Sequence, residues 1–140
     1  MSREASLAWL VFDHPERRNA VSLEMWRAIP DLAATLDADP SVRVIGLRGA
    51  GDVAFVSGAD ISEFAATRTG ADAAQAYEDT TAAAVAALAG VGKPVVAAIH
   101  GFCVGGGMAV ALTADLRIAA DDAQFAIPAA RLGLGRVGRP

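Results

Sequence analysis

The chain has 140 residues, 54% of them hydrophobic and 20% charged; a domain of this length removes roughly two-thirds of its chain's surface from water, so a disordered polypeptide is excluded. Its net charge of −4, with Arg17-Arg18 as the only adjacent basic pair, excludes nucleic acid as a partner, because phosphates need a concentrated basic surface. No apolar run approaches the roughly 18 to 20 residues that span a bilayer, and Met1-Ser2-Arg3-Glu4-Ala5 does not lead into a signal-peptide core.

A cytoplasmic protein with no membrane partner is the expectation. The single cysteine, Cys103, rules out an internal disulfide and a cysteine-based zinc site, and His14 and His100 lie too far apart to suggest a metal.

In chain order, Leu7 to Phe12 reads as a strand closed by Asp13-His14-Pro15. A helix follows. Ser22 suits its N-cap, Glu24 its positive end, and Leu23, Trp26, Ile29, Ala33 and Leu36 recur at three- and four-residue spacing. Pro30 sits inside that pattern and is expected to kink or divide it. The β-branched run Val42 to Leu47 turns through Gly49-Ala50-Gly51-Asp52 into Phe55-Val56. Gly70 to Leu88 is alanine-rich and proline-free, which predicts a long helix stopped by Gly90 and Gly92. Val95 to Ile99 is a near-continuous apolar run of the kind buried on both faces of a sheet. After Gly105-Gly106-Gly107 come a short apolar helix, Met108 to Thr113, and two strand-like pieces, Leu116 to Ala119 and Gln124 to Ile127. The alternation predicts one α/β domain over 1–140 with a mainly buried sheet.

Two features point to chemistry. Gly105-Gly106-Gly107 joins a buried strand to a helix, where glycine lets the backbone approach a ligand and free N–H groups present partial positive charge. No Gly-Lys-Ser/Thr and no G-x-G-x-x-G can be fitted there, so an oxyanion site fits better than a nucleotide loop. The second is the turn Phe55-Val56-Ser57-Gly58-Ala59-Asp60-Ile61, in which Gly58 leaves the Ala59 N–H in a position to point inward. Ser57 lacks a G-x-S-x-G setting and reads as a turn serine.

Four segments in register carry a resemblance: Arg17-Arg18-Asn19-Ala20-Val21-Ser22, Ala54 through Ile61, Lys93 through Gly101 with Val104 through Gly107, and Ala114-Asp115-Leu116-Arg117-Ile118-Ala119. Together they resemble the enoyl-CoA hydratase/isomerase (crotonase) family to about Leu134. The resemblance implies a crotonase-like spiral of strand–strand–helix units, incomplete at the C-terminus, that binds an acyl-CoA. It also implies that the backbone N–H groups of Ala59 and Gly106 form an oxyanion hole for the thioester carbonyl, stabilising an enolate. Arg18 and Ala20 would lie near the CoA nucleotide. Ser57, Asp60, Ile61, Val104, Gly105, Pro128 and Ala129 would complete the binding site, Asp60 chiefly orienting its own turn. No cofactor is implied beyond coenzyme A as part of the substrate.

The sequence also departs from the family. Hydratases resembling it carry glutamates where this chain has Ala109 and Ala129, and alanine neither donates nor accepts a proton. Isomerase, hydrolase, decarboxylase and dehalogenase chemistry stay open, with Glu63, Glu78, Asp79 and His100 as local titratable candidates; a non-catalytic acyl-CoA-binding protein is the alternative. The family continues into a C-terminal helical region that builds trimers or hexamers, whereas here Arg136-Val137-Gly138-Arg139-Pro140 follows. The expectation from that ending is a shortened or frame-shifted product, inactive in the extreme case.

Overall fold

The computed structural model describes residues 2–58 and 71–126. Strand β1 (Ser2–Glu4) pairs antiparallel with β2 (Leu7–Phe12), and a single 3-10 turn (Pro15–Arg17) leads to helix α1 (Leu23–Ala38). There follow β3 (Val44–Gly49), β4 (Ala54–Val56), α2 (Ala71–Ala89), β5 (Val95–Ile99), β6 (Phe102–Val104), α3 (Gly106–Leu112), β7 (Leu116–Ala119) and β8 (Gln124–Ala126).

The strands divide between two sheets, a larger one in the order β1-β2-β3-β5-β7 and a smaller one in the order β4-β6-β8. Beyond the β1–β2 hairpin the strands of the described residues pair in parallel, with one isolated antiparallel bridge between Ala54 and Gly101. Each large-sheet strand from β3 onward is followed by one small-sheet strand, and after β4 and β6 by a helix, so the chain winds as strand–strand–helix turns. The spiral expected from the resemblance is present.

Alternation decides which side of the large sheet is covered. Ala8, Leu10 and Phe12 of β2, Ile45 and Leu47 of β3, and Val95, Ala97 and Ile99 of β5 are buried and share one core with Trp26, Ile29, Ala33 and Leu36 of α1. Each large apolar side chain taken from water contributes about 1.5–3 kcal/mol. Phe12 and Phe55, with ring centroids 6.1 Å apart and planes tilted by 60°, tie the large sheet to the small one.

Two sequence expectations are corrected. Val95–Ile99 is not buried on both faces, since Val96 and Ala98 point to the uncovered side of the sheet and are only half-buried. That same side carries Leu116 and Ile118 of β7, both more than half exposed. Pro30 does not divide α1, which runs unbroken from Leu23 to Ala38. Its missing N–H leaves one carbonyl of the helix without an amide partner, and the buried stripe from Trp26 to Leu36 holds the helix together across the gap. Strands β1 and β6 were not anticipated from the sequence. The helix expected from Gly70 to Leu88 is α2, and Met108 to Thr113 lies largely within α3.

Polar side chains fix the connections. Ser22 caps α1 by accepting from the Met25 N–H at 3.2 Å. Lys93 donates to the carbonyls of Leu36 and Asp39 at 2.8 and 2.5 Å, joining the turn before β5 to the end of α1. The Asp115 carboxylate accepts from the Val95 N–H, and the Asp115 N–H donates back to the Val95 carbonyl, both at 2.8 Å.

Candidate functional site

Three segments distant in sequence meet at the start of α3. The first is the loop between β2 and α1, where Arg18 and Asn19 both take left-handed backbone conformations (φ 54° and 58°). Asn19 is 1% exposed; its carbonyl oxygen accepts from the His14 N–H at 2.9 Å, and its amide donates to Ala50 at 2.9 Å and Ala54 at 2.8 Å. Asparagine tolerates the left-handed region because its short polar side chain finds local backbone partners, and here those partners reach across to β4.

The second segment is the end of β4. The Ser57 hydroxyl donates to the Arg17 carbonyl at 3.2 Å, and the Val21 N–H donates to the Gly58 carbonyl at 2.8 Å. Ser57 is thereby a turn serine, as the sequence indicated. Gly58 has φ +111°, a conformation that side chains rarely adopt.

The third is the glycine turn itself. Gly105 (φ +56°) precedes α3, its N–H donates to the Ala126 carbonyl at 2.8 Å, and its own carbonyl accepts from Met108 at 2.9 Å. Gly106, the first residue of α3, donates its N–H to no group among the described residues. A β-carbon on Gly106 would stand 3.9 Å from the Gly58 carbonyl carbon, the atom that carries the peptide bond to residue 59. One on Gly107 would meet the Val56 carbonyl oxygen at 2.3 Å, so the two turns approach as closely as glycine permits.

Around this point the described side chains are apolar. Trp26 of α1 lies against Gly106, with its Cζ2 and Cη2 atoms 3.1 and 3.4 Å from where a β-carbon would be. Ala109 stands on α3 and is half-buried. Cys103 on β6 is fully buried, and burial pushes its thiol up from the ordinary 9.0 to about 11, so it is no nucleophile at neutral pH.

The candidates taken from the sequence sort as follows. Ser57, Gly105 and Gly106 come together with Ala20, and Val104 ends the strand that enters the glycine turn. Arg18 places its guanidinium 5.0 Å from the centroid of Phe102 on β6, on the exposed rim of the same region. Ala59, Asp60, Ile61, Glu63, Pro128 and Ala129 lie outside the described residues.

Glu78 and Asp79 are exposed on α2, and Asp79 accepts from Gln75 at 2.8 Å. His100 is placed elsewhere: with Trp9, Arg48 and Ile118 it lines an open hollow of about 660 Å³ on the uncovered side of the large sheet, and neither glycine turn reaches that hollow. Sequence reading missed two residues. Asn19 stands inside a quoted motif, yet its anchoring role depends on partners 31 and 35 residues away. Trp26 reads as an ordinary member of an apolar helix stripe.

Comparison with known proteins bears directly on this geometry. The profile described as Enoyl-CoA hydratase/isomerase matches residues 2–137. The chain belongs to the enoyl-CoA hydratase/isomerase family. It is 33% identical over 134 residues to a crotonyl-CoA hydratase of Syntrophomonas wolfei, covering 96% of this chain and 51% of that protein.

Among solved structures, an enoyl-CoA hydratase/isomerase family protein from Hyphomonas neptunium superposes with a TM-score of 0.92 at 46% identity, covering 96% of this chain and 52% of that one. An enoyl-CoA hydratase/carnithine racemase from Magnetospirillum magneticum gives a TM-score of 0.92 at 38% identity, with 97% and 51% covered. The fold is therefore that of the crotonases, and the chain spans about half the length of the relatives it matches. Among the described residues no helix is long and apolar enough to cross a membrane, and no cluster of three metal-ligating side chains occurs.

Proposed function

We propose that this chain binds an acyl-CoA thioester, with the backbone N–H groups of Ala59 and Gly106 directed at the thioester carbonyl oxygen. The observation that carries the reading is the Gly106 amide, which has no partner among the described residues, in a turn so close to Gly58 that a β-carbon on Gly106 would stand 3.9 Å from the Gly58 carbonyl carbon. Two fixed donors in an apolar setting stabilise an oxyanion as negative charge develops on the carbonyl, and they do so without reorganising solvent. Family membership and the names of its relatives, which are those of CoA-thioester enzymes, support the same substrate class.

The chemistry fitting such a site is formation of an enolate or a similar oxyanion. Ala109 supplies no acid or base on α3, so hydration through a glutamate at that position is not open to this chain. The exposed Arg18 guanidinium, seated on Phe102 at the rim, is suited to a phosphate of the nucleotide end.

Calorimetric titration with acetoacetyl-CoA, whose enolate resembles the bound oxyanion, tests the reading. Saturable binding is expected, weakened about tenfold or more in Gly106→Pro, because a hydrogen bond to a charged acceptor contributes about 1.5–3 kcal/mol. Proline suits the first position of a helix but lacks the N–H. Gly106→Ala keeps the N–H while adding a β-carbon against Trp26, and so separates loss of the donor from crowding. A folded protein that binds no thioester overturns the proposal.

A further inference from the structure

The hollow on the uncovered side of the large sheet is remote from the glycine turns. Its volume of about 660 Å³ falls within the roughly 300–1,000 Å³ of small-ligand sites. Four neighbouring strands supply it: Trp9 and Val11 from β2, Arg48 from β3, Ala98 from β5 with His100 just beyond its end, and Ile118 from β7. The rest of the lining is alanine and glycine apart from Ile99, and small side chains leave the depression open. Gly46 shapes it from below. The Trp9 ring lies across this residue, so close that a β-carbon there would collide with Cε3 and Cζ3.

Polar groups in the hollow are few and of one kind. Arg48 is its only fixed charge, and no carboxylate lines it among the described residues. The guanidinium stacks on the Trp9 ring, 4.8 Å from the centroid. Stacking of this kind orients a planar fork whose N–H edge matches a carboxylate. Trp9 Nε1 and His100 Nε2 are both buried without a hydrogen-bond partner, although buried polar atoms nearly always have one. The two rings wall the same hollow, so a single acceptor seated there meets both residues.

We propose that the hollow is a second ligand site and takes a small organic monocarboxylate. The carboxylate lies on Arg48, with Trp9 Nε1–H and the Nε2–H tautomer of His100 as further donors. The apolar body rests on Val11, Ala98 and Ile118. One fixed cation with no opposing acid selects a singly charged ligand, and the apolar walls select an organic anion over an inorganic one.

The test titrates the full chain with hexanoate and with hexanamide, its neutral counterpart of the same size, while following the indole N–H resonances by NMR. The chain has two tryptophans, and Trp9→Phe assigns their signals. Trp26 lies in the core on the opposite side of the sheet and serves as the internal control. Hexanoate is expected to move the Trp9 resonance saturably, to leave that of Trp26 in place, and to bind about tenfold or more tightly than hexanamide. Arg48→Met is expected to bring the two ligands within about twofold, and His100→Leu to weaken hexanoate about fivefold or more. Gly106→Pro, altered at the glycine turn, is expected to bind hexanoate as wild type does.

The comparison of hexanoate with hexanamide needs no variant to fold. A Trp9 resonance that stays in place, hexanamide binding as tightly as hexanoate, or a response confined to Trp26 overturns the proposal. So does sodium sulfate moving the Trp9 resonance as hexanoate does at the same concentration, since the hollow would then select charge alone.

Discussion

The side-chain amide of Asn19 donates to the carbonyl of Ala54 at 2.8 Å, fastening the loop after β2 to the strand that runs into the Gly58 turn. With its bonds to Ala50 and from His14, this one side chain joins β2, the end of β3 and β4. Two of the three segments of the candidate site, the loop after β2 and the strand leading to Gly58, are therefore joined by a buried hydrogen-bond knot.

Asn19→Ala removes all three bonds, leaves the Ala54 carbonyl without its side-chain donor in a buried setting, and places alanine at φ 58°. The left-handed conformation alone costs roughly 1–2 kcal/mol and an unsatisfied buried carbonyl a similar amount. A loss of about 3 kcal/mol is expected, which for a chain of this size lowers the Tm by roughly 10 °C. Calorimetric melting checks this, and a shift under about 2 °C would show that the knot is not holding the loop.

Gly107→Ala tests how closely α3 sits on β4. A β-carbon there would lie 2.3 Å from the Val56 carbonyl oxygen, a backbone atom that cannot swing aside. Overpacking of this kind costs roughly 1–3 kcal/mol, and because relief requires α3 to move away from β4, acyl-CoA binding is expected to fall with stability. A variant as stable as wild type that also binds as tightly would contradict the close approach.

Much of this arrangement was legible in the residues. The apolar run of Leu7–Phe12 closed by Asp13-His14-Pro15 and the capped stripe from Ser22 to Leu36 are local signals, and the structure follows them. The glycine turn and Gly58 were recognisable because positive φ and close packing leave few alternatives to glycine. What sequence could not carry was long-range. Phe102–Val104 is too short to show a period, and becomes a strand only because β4 and β8 flank it. The apolar run Val95–Ile99 does not reveal which side of the sheet the helices cover. Nor does the spacing of Trp26 disclose that its ring rests on Gly106, a residue eighty positions away. Pro30 misled for the converse reason, since a local penalty was outweighed by tertiary packing of the same helix.

Lys93→Met examines the join between α1 and β5. The ammonium now donates to the Leu36 and Asp39 carbonyls at the end of the helix, where a positive charge also suits the dipole. Methionine retains most of the stem and loses the donors. A destabilisation of about 1–2 kcal/mol is expected in chemical denaturation, with the slope on denaturant unchanged. Acyl-CoA affinity should stay as it was, because the join lies away from the glycine turns; a fall in affinity at constant stability would mean that the α1 C-terminus communicates with the site.

Cys103 supplies a pH-dependent prediction. Its buried thiol holds the proton to about pH 11, whereas in the unfolded chain the group ionises near its ordinary 9.0. Between those values the unfolded state binds fewer protons than the folded one, so stability falls as pH rises from about 9 and the contribution levels off above about 11. At about 1.4 kcal/mol per unit, the loss is roughly 2 kcal/mol across the window, and none of it is present at neutral pH. Denaturation midpoints measured from pH 7 to 11 check the sign. Cys103→Ala is expected to start lower at pH 7, because the core loses a sulfur, and then to decline less steeply; groups that titrate elsewhere act equally in both proteins and cancel in the difference. Parallel curves for the two proteins would show that the thiol is not the group responsible, and rapid modification of Cys103 by a thiol reagent at pH 8 without unfolding would show that β6 does not shield it.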